Sequence, residues 1–283
     1  MTTDLFTGRL RSIPAAGRRV AIAVPPTVLA AVFVVLVVLL WSVVPGIFTS
    51  HDPVTGNTGE KLIAPSPAHW FGTDYLGRDV YARIVYGTAS SVTSALVAVL
   101  IGLIVGSVIG LASGFLGGGV DTILGRVVDV LLAIPGFLLA VVVVSSLGFT
   151  TLNAAIATGV SAVAVFARLM RAEVIRTRGS VFVEASYLQG GNRPQALLRH
   201  ILPNVYPSIV ALAVLQFGMS ILVIAALAFL GYGDPPPASD WGLLVSSGKN
   251  YPTAPWLVYA PALVIVATVL SVNRISTWLR QAR

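Results

Sequence analysis

Chemistry in a strongly apolar chain has to sit on its few ionisable side chains. Lys, Arg, Asp and Glu make up only 10% of these 283 residues, against 56% hydrophobic ones. An acid stranded among apolar residues would point to a proton or ion path. Asp129 and Arg168 come closest, and both fall at the ends of apolar stretches, where a side chain can reach the interface. His51, His69 and His200 are scattered and cysteine is absent, so no metal site and no disulfide is expected. No G-x-x-x-x-G-K-[ST] loop is present to cradle a nucleotide phosphate. No catalytic residue is therefore assigned, and the chain reads as a non-enzyme that binds no cofactor of its own. Two kinds of polar cluster remain. One is the long connection at about 169–205, where a partner that supplies energy could attach. The other is Asp74, Arg78 and Asp79, together with Asp240 and Trp241, suited to docking or gating.

The elements that position these groups follow from the charge gaps. A soluble domain carries about 25% charged residues, and the core of one domain stops growing near this length, so lipid must cover much of the apolar surface. A membrane helix needs roughly 20 apolar residues. Six spans are expected, near residues 24–46, 89–114, 130–147, 151–168, 206–230 and 256–276. The third and fourth share one uncharged gap and are split at the turn signal Gly148-Phe149-Thr150-Thr151. The first is too long for a signal-peptide core and lacks a small-residue cleavage site, so it is read as a retained helix. Gly102, Gly106 and Gly110, spaced four apart in the second span, suit close helix packing. Pro135-Gly136 suits a kink in the third, whether a gating element or a static bend.

Fourteen of the eighteen basic residues then share one face: Arg9, Arg11, Arg18, Arg19, Arg126, Arg168, Arg171, Arg176, Arg178, Arg193, Arg199, Arg274, Arg280 and Arg283. By the positive-inside rule that face is cytoplasmic, with both termini on it. The formal charge of +7 is thereby accounted for by topology, which argues against nucleic-acid binding.

The long cytoplasmic connection, about 169–205, is not disordered in character. Glu173 to Gln189 reads as a helix broken near Gly179, followed by a Gly190-Gly191 turn. Asn192 reads as the cap of a second helix from Gln195 to Leu202, with Pro194 in its first turn; this helix is expected to stop at Pro203. The pair would project as a knob. The outer loops either dock a partner or lie at the membrane interface, which Trp70, Tyr75 and Trp241 also favour.

Glu184-Ala185-Ser186, Gly190 and Ile201-Leu202-Pro203 resemble the EAA motif of bacterial ATP-binding-cassette importer permeases, with Ser186 in place of the third small residue. Arg199-His200-Ile201-Leu202-Pro203-Asn204 has the form typical of the peptide-importer branch. Phe71-Gly72-Thr73-Asp74, Leu76-Gly77-Arg78-Asp79 and Tyr86-Gly87 resemble the signature before the second span in C-type permeases of dipeptide/oligopeptide importers. Phe229-Leu230-Gly231-Tyr232-Gly233, Pro235-Pro236-Pro237, Trp241-Gly242, Tyr251 and Ala254-Pro255-Trp256 continue it. The resemblance covers roughly 65–280.

It implies an all-α type I importer permease fold in the bacterial plasma membrane. Residues 1–87 would hold the tail, first helix and outer loop, and residues 88–283 the permease core. The implied partners are a B-type permease sibling, two ATPase subunits or one fused chain carrying ATP and magnesium, and an extracytoplasmic binding protein. The implied cargo is di- or oligopeptide; nickel chelates, glutathione and haem are the alternatives, and a stand-alone secondary carrier is the competing class. The coupling role falls on Glu184, Ala185, Ser186, Tyr187, Leu188, Gly190 and Arg193, with Gly190 supplying the turn and Glu184 a polar contact or cap within the loop.

Overall fold

The computed structural model describes residues 24–281; the N-terminal tail with Arg9, Arg11, Arg18 and Arg19, and Arg283, lie outside the described residues. The helices are α1 (Pro26–Val43), α2 (Val80–Leu116), α3 (Gly118–Ala133), α4 (Gly136–Leu147), α5 (Thr151–Arg178), α6 (Val181–Leu188), α7 (Arg193–Ala196), α8 (Leu202–Phe229), α9 (Trp241–Gly248) and α10 (Trp256–Gln281). Five of them are long and apolar enough to cross a bilayer; α3 and α4 qualify only as a pair, bent by 92° at the break between them, as a broken span or a re-entrant loop.

That bend corrects the expected third span. Helix α4 has 12 residues, about 18 Å at 1.5 Å per residue, too short for a ~30 Å hydrocarbon layer. The chain turns because Ile134 precedes Pro135, and a residue before proline is pushed out of helical geometry; Ile134 sits at ψ 126°. Asp129 consequently lies within α3 and not at the end of a straight span. The Gly148 turn between α4 and α5 is where the sequence places it, with Thr150 capping Asn153.

Two further boundaries move. Helix α2 begins at Val80, nine residues before the expected start, because Asp79 caps it by accepting from the Ala82 amide at 2.7 Å. Arg83 is therefore helical and buried, which a count of charge-free residues excludes. The helix expected to stop at Pro203 does not stop. A π turn over Leu197–Ile201 leads directly into α8, with the Leu202 amide bonded to the Leu197 carbonyl. The wider turn gives the amide-free Pro203 a place in the first turn of α8, where its missing donor is not needed.

The bundle is organised on the α2–α5 pair. A Cβ added at Gly106 would lie 2.5 Å from the Val163 carbonyl oxygen, and one at Gly110 would lie 2.3 Å from that of Ala167. Gly102 faces Ala162 and Phe166, Gly114 faces Val174, and on α5 Gly159 faces Ile101. The glycine ladder is thus a backbone-to-backbone seam. Lipid tails are as apolar as leucine, so dispersion from close contact has to hold membrane helices together. Helix α8 packs on both members of this pair and α10 packs on α8, where Ser276 donates to the Ala211 carbonyl at 3.0 Å. The outward faces of α1, α2 and α10 leave Phe33, Leu36, Ile104, Val108, Leu263 and Leu270 exposed.

Gly106→Val is expected to lower stability by at least about 2 kcal/mol, since no side chain can give way to relieve a contact with backbone. Gly125→Ala on α3, where nothing lies within 4 Å, is expected to be neutral or better. Thermal unfolding of the detergent-purified variants compares the two.

Candidate functional site

At one end of the seam the chain builds a knob. Helix α5 ends at Arg178, and Gly179 caps it. Helix α6 follows, then Gly190 at φ +86°, Gly191, and the Asn192 cap of α7, whose side chain accepts from the Gln195 amide at 2.9 Å. The left-handed φ at Gly190 costs a residue with a Cβ about 1–2 kcal/mol. Open space surrounds Gly190, whereas a Cβ on Gly191 would meet the Ser186 carbonyl oxygen at 2.6 Å. Both glycines are needed, one for backbone angle and one for close approach. The sequence places Gly191 in the turn with Gly190 but not among the coupling residues. Its adjacency to Gly190 is the only signal for it there.

One face of the knob is fixed and the other is free. Val183, Ala196 and Ile201 are buried against Phe166, Met170 and Val174 of α5 and Val205 of α8. This apolar footing makes the knob an extension of the seam. Outward stand Val181, Phe182, Tyr187, Leu198 and Leu188, the last of these 89% exposed. Glu184 and Arg193 are exposed, and Ala185 and Ser186 are half-buried. Among the described residues Glu184 makes no side-chain hydrogen bond, so the expected cap within the loop is absent; its charge sits in the first turn of α6, where the helix dipole favours it. Two open depressions flank the knob. One of about 590 Å³ runs between Phe115 and Leu116 of α2 and Tyr187 and Arg193 of the knob. The other, of about 410 Å³, includes Phe182, Ser186, Gln195 and His200.

Polar clasps join the helix ends just above the knob. Arg178 Nη1 donates to the Phe115 carbonyl at 2.9 Å and to that of Gly114 at 3.3 Å, closing the C-terminal carbonyls of α2. Arg171 binds Asp121 of α3 through two bonds of 2.5 and 2.7 Å, and Ser113 of α2 donates to the same carboxylate. A bidentate guanidinium–carboxylate pair holds direction as well as distance. Helices α2, α3 and α5 therefore meet the knob as one unit.

The opposite end is a cap made from the 49–79 and 230–255 segments. Asp74 there accepts from Arg78 Nε at 2.7 Å and Arg83 Nη1 at 2.9 Å, and from the Leu76 and Arg78 amides. Arg83 reaches on to the Ala238 carbonyl at 3.0 Å. Asp79 pairs with His69 at 2.8 Å. Trp241 is fully buried, its ring N–H donating to the Ile84 carbonyl at 3.2 Å and its amide to Ser91. Asp74, Arg78, Asp79, Asp240 and Trp241 are all buried. A docking surface at these five is thus corrected: their side chains bind the cap to α2 and offer no face to a partner. The side chains the cap does expose include Trp70 and Leu76. The reading of the histidines as scattered also needs correction, because His51 and His69, 18 positions apart in sequence, lie side by side with ring centroids 5.3 Å apart and planes tilted by 41°.

Asp240 caps α9 by accepting from the Leu243 amide at 3.0 Å, while its Oδ2 is buried without a partner among the described residues. Burial pushes its carboxyl above the usual range. A raised carboxyl pKa means that the stability it allows is complete at low pH and lost as pH rises through that pKa. Asp240→Asn keeps the capping oxygen without the charge. It is expected to have a higher unfolding midpoint than wild type at neutral pH, and the gap should close as pH falls. A constant gap across that pH range would contradict the assignment.

Comparison with known proteins places this arrangement. Residues 98–283 match the family described as binding-protein-dependent transport system inner membrane component. The dipeptide transport system permease protein DppC of Alkalihalophilus pseudofirmus is 37% identical over 245 residues, 86% of this chain and 81% of the relative. The probable D,D-dipeptide transport system permease protein DdpC of Escherichia coli is 35% identical over 250 residues, 88% and 84% of the two chains. The glutathione transport system permease protein GsiD of Pectobacterium atrosepticum is 38% identical over 219 residues, 77% and 73%. A chain from the crystal structure of an amino acid ABC transporter with histidines superposes with TM-score 0.55 at 16% identity, covering 71% of this chain and 94% of that one, which supports the fold alone.

Proposed function

Because the chain belongs to the binding-protein-dependent transport system inner membrane component family, we propose that it forms half of the translocation pathway for di- and oligopeptides, driven by ATP hydrolysis in partner chains. It is a multi-pass protein of the bacterial plasma membrane and a permease subunit of an ABC importer. The observation carrying the cargo is the 37% identity to a dipeptide permease across 86% of the chain. Glutathione is the second reading, supported by the 38% identity to a glutathione permease. Both cargoes are short peptides. Uptake by the reconstituted complex, with dipeptides, longer peptides and glutathione in parallel, separates them. Cargo-dependent uptake of none of these would end the peptide reading.

The proposed orientation puts the knob and both termini in the cytoplasm, as the clustering of arginines on that face favours. There the exposed Leu188, Val181 and Tyr187 would otherwise face water, and apolar side chains grouped on a polar surface mark a contact site. An ATPase subunit holding its own ATP and magnesium is the proposed contact. A second, B-type permease completes the pathway, and a binding protein delivers cargo to the cap.

The coupling is mechanical. Closure of two ATPase subunits on ATP would pull the knobs, and packed helices answer by rocking between discrete arrangements. Glu184, Ala185, Ser186, Tyr187, Leu188, Gly190 and Arg193 are the proposed contact segment. The support for it is that α6 and α7 stand on the same buried footing as α5, so force on the knob is not lost in a soft linker. Gly190→Asp and Glu184→Lys are expected to insert normally yet reduce ATPase co-purification or cargo-stimulated ATP hydrolysis. Wild-type uptake by both would count against the assignment.

A further inference from the structure

The strongest feature outside the knob is a ligand set in the cap. His51 lies in the segment after α1, His69 in a turn closed by its own amide and carbonyl bonded to Ser66, and Asp79 at the start of α2. One donor atom from each lies within 4.8 Å of the other two. A cap holding Asp79 needs only His69 as a partner. The second imidazole, tilted by 41° against the first at 5.3 Å between centroids, is not required by the fold, since His51 is exposed.

The surroundings suit a cation. Asp79 Oδ1 is taken by the Ala82 amide at 2.7 Å, which leaves Oδ2 alone facing His69 Nδ1 at 2.8 Å. The other ring nitrogen of His69 looks toward the Glu60 carboxylate at 3.8 Å. Metal-bound histidines commonly have such a carboxylate on the far nitrogen, where it orients the ring and raises its basicity. A depression of about 200 Å³ lined by His51, Pro67, Trp70, Asp79 and Tyr81 opens beside the three donors and gives room for an ion and a water ligand.

We infer that His51, His69 and Asp79 form a binding site for a zinc-like divalent cation that ties the segment after α1 to the start of α2. Two imidazoles and one carboxylate, with a fourth position for water, are a recognised zinc set, with bonds of about 2.0–2.2 Å. On binding, the ion takes the place of the hydrogen between His69 Nδ1 and Asp79 Oδ2, and the hydrogen of the neutral ring sits on Nε2, facing Glu60. The exposed His51 ring swings in to complete the set.

The test uses the intact complex in detergent, stripped of metal and titrated with zinc(II) against a chromophoric chelator. Wild type is expected to hold one more zinc than His51→Ala, or to bind it more than about tenfold more tightly. Zinc is expected to raise the unfolding midpoint of wild type and not of the variant. Cobalt(II) should give a visible absorption band in wild type alone. His51→Gln, which keeps a side chain of similar bulk and is a poor zinc ligand, stands in if the alanine variant is unstable. Equal zinc binding by wild type and variant, or an equal zinc-induced shift in unfolding, would overturn the site and leave His69–Asp79 as a simple capping pair.

Discussion

Close contact between the backbones of α2 and α5 is the constraint on which the rest depends. Four glycines at four-residue spacing on α2 meet carbonyls and small side chains of α5 at distances that no Cβ could occupy. In lipid, this contact cannot be replaced by a general hydrophobic drive, because moving an apolar side chain from lipid to protein gains little. The pair is therefore a stiff rod. Its 37-residue member, α2, spans roughly 55 Å and reaches from the cap to the knob.

Both ends of the rod are finished by polar chemistry, and the two ends differ in kind. The knob end uses Arg178 on open carbonyls and the Asp121–Arg171 pair to hold α3 to the seam. The cap end buries Asp74 with Arg78 and Arg83. Charges taken out of water repay their desolvation only with good geometry and satisfied donors; Asp74 has four such bonds, while Arg83 Nε is left without a partner among the described residues. The cap is thereby fixed in shape. Cap, rod and knob are joined end to end by buried packing and polar contacts.

The broken α3–α4 passage breaks this pattern. Proline fixes the bend between them, and α3 is tied at its first turn through Asp121 while its Val120, Ile123, Val127 and Val130 side chains face outward. Next to the bend this stripe is exposed apolar surface of the kind that lipid or a neighbouring protein covers.

The sequence by itself determined what depends on local composition and spacing. The apolar stretches, five of the spans, the bend at Pro135-Gly136, the glycine ladder, the Gly148 turn, the break at Gly179 and the Asn192 cap were all legible, because each follows from propensity, capping or periodicity within a few residues. Helix ends next to charges were not legible. Arg83 looks like a loop residue until Asp74 neutralises it, and Pro203 looks like a stop until a π turn makes room for it. Only the tertiary structure decided that Asp74, Arg78, Asp79, Asp240 and Trp241 face inward, that Gly191 touches Ser186, and that His51 lies beside His69. Each of these rests on a contact between segments distant in the chain or on a backbone angle set by its neighbours, and spacing along a sequence carries no information about the direction in which a folded loop points its side chains.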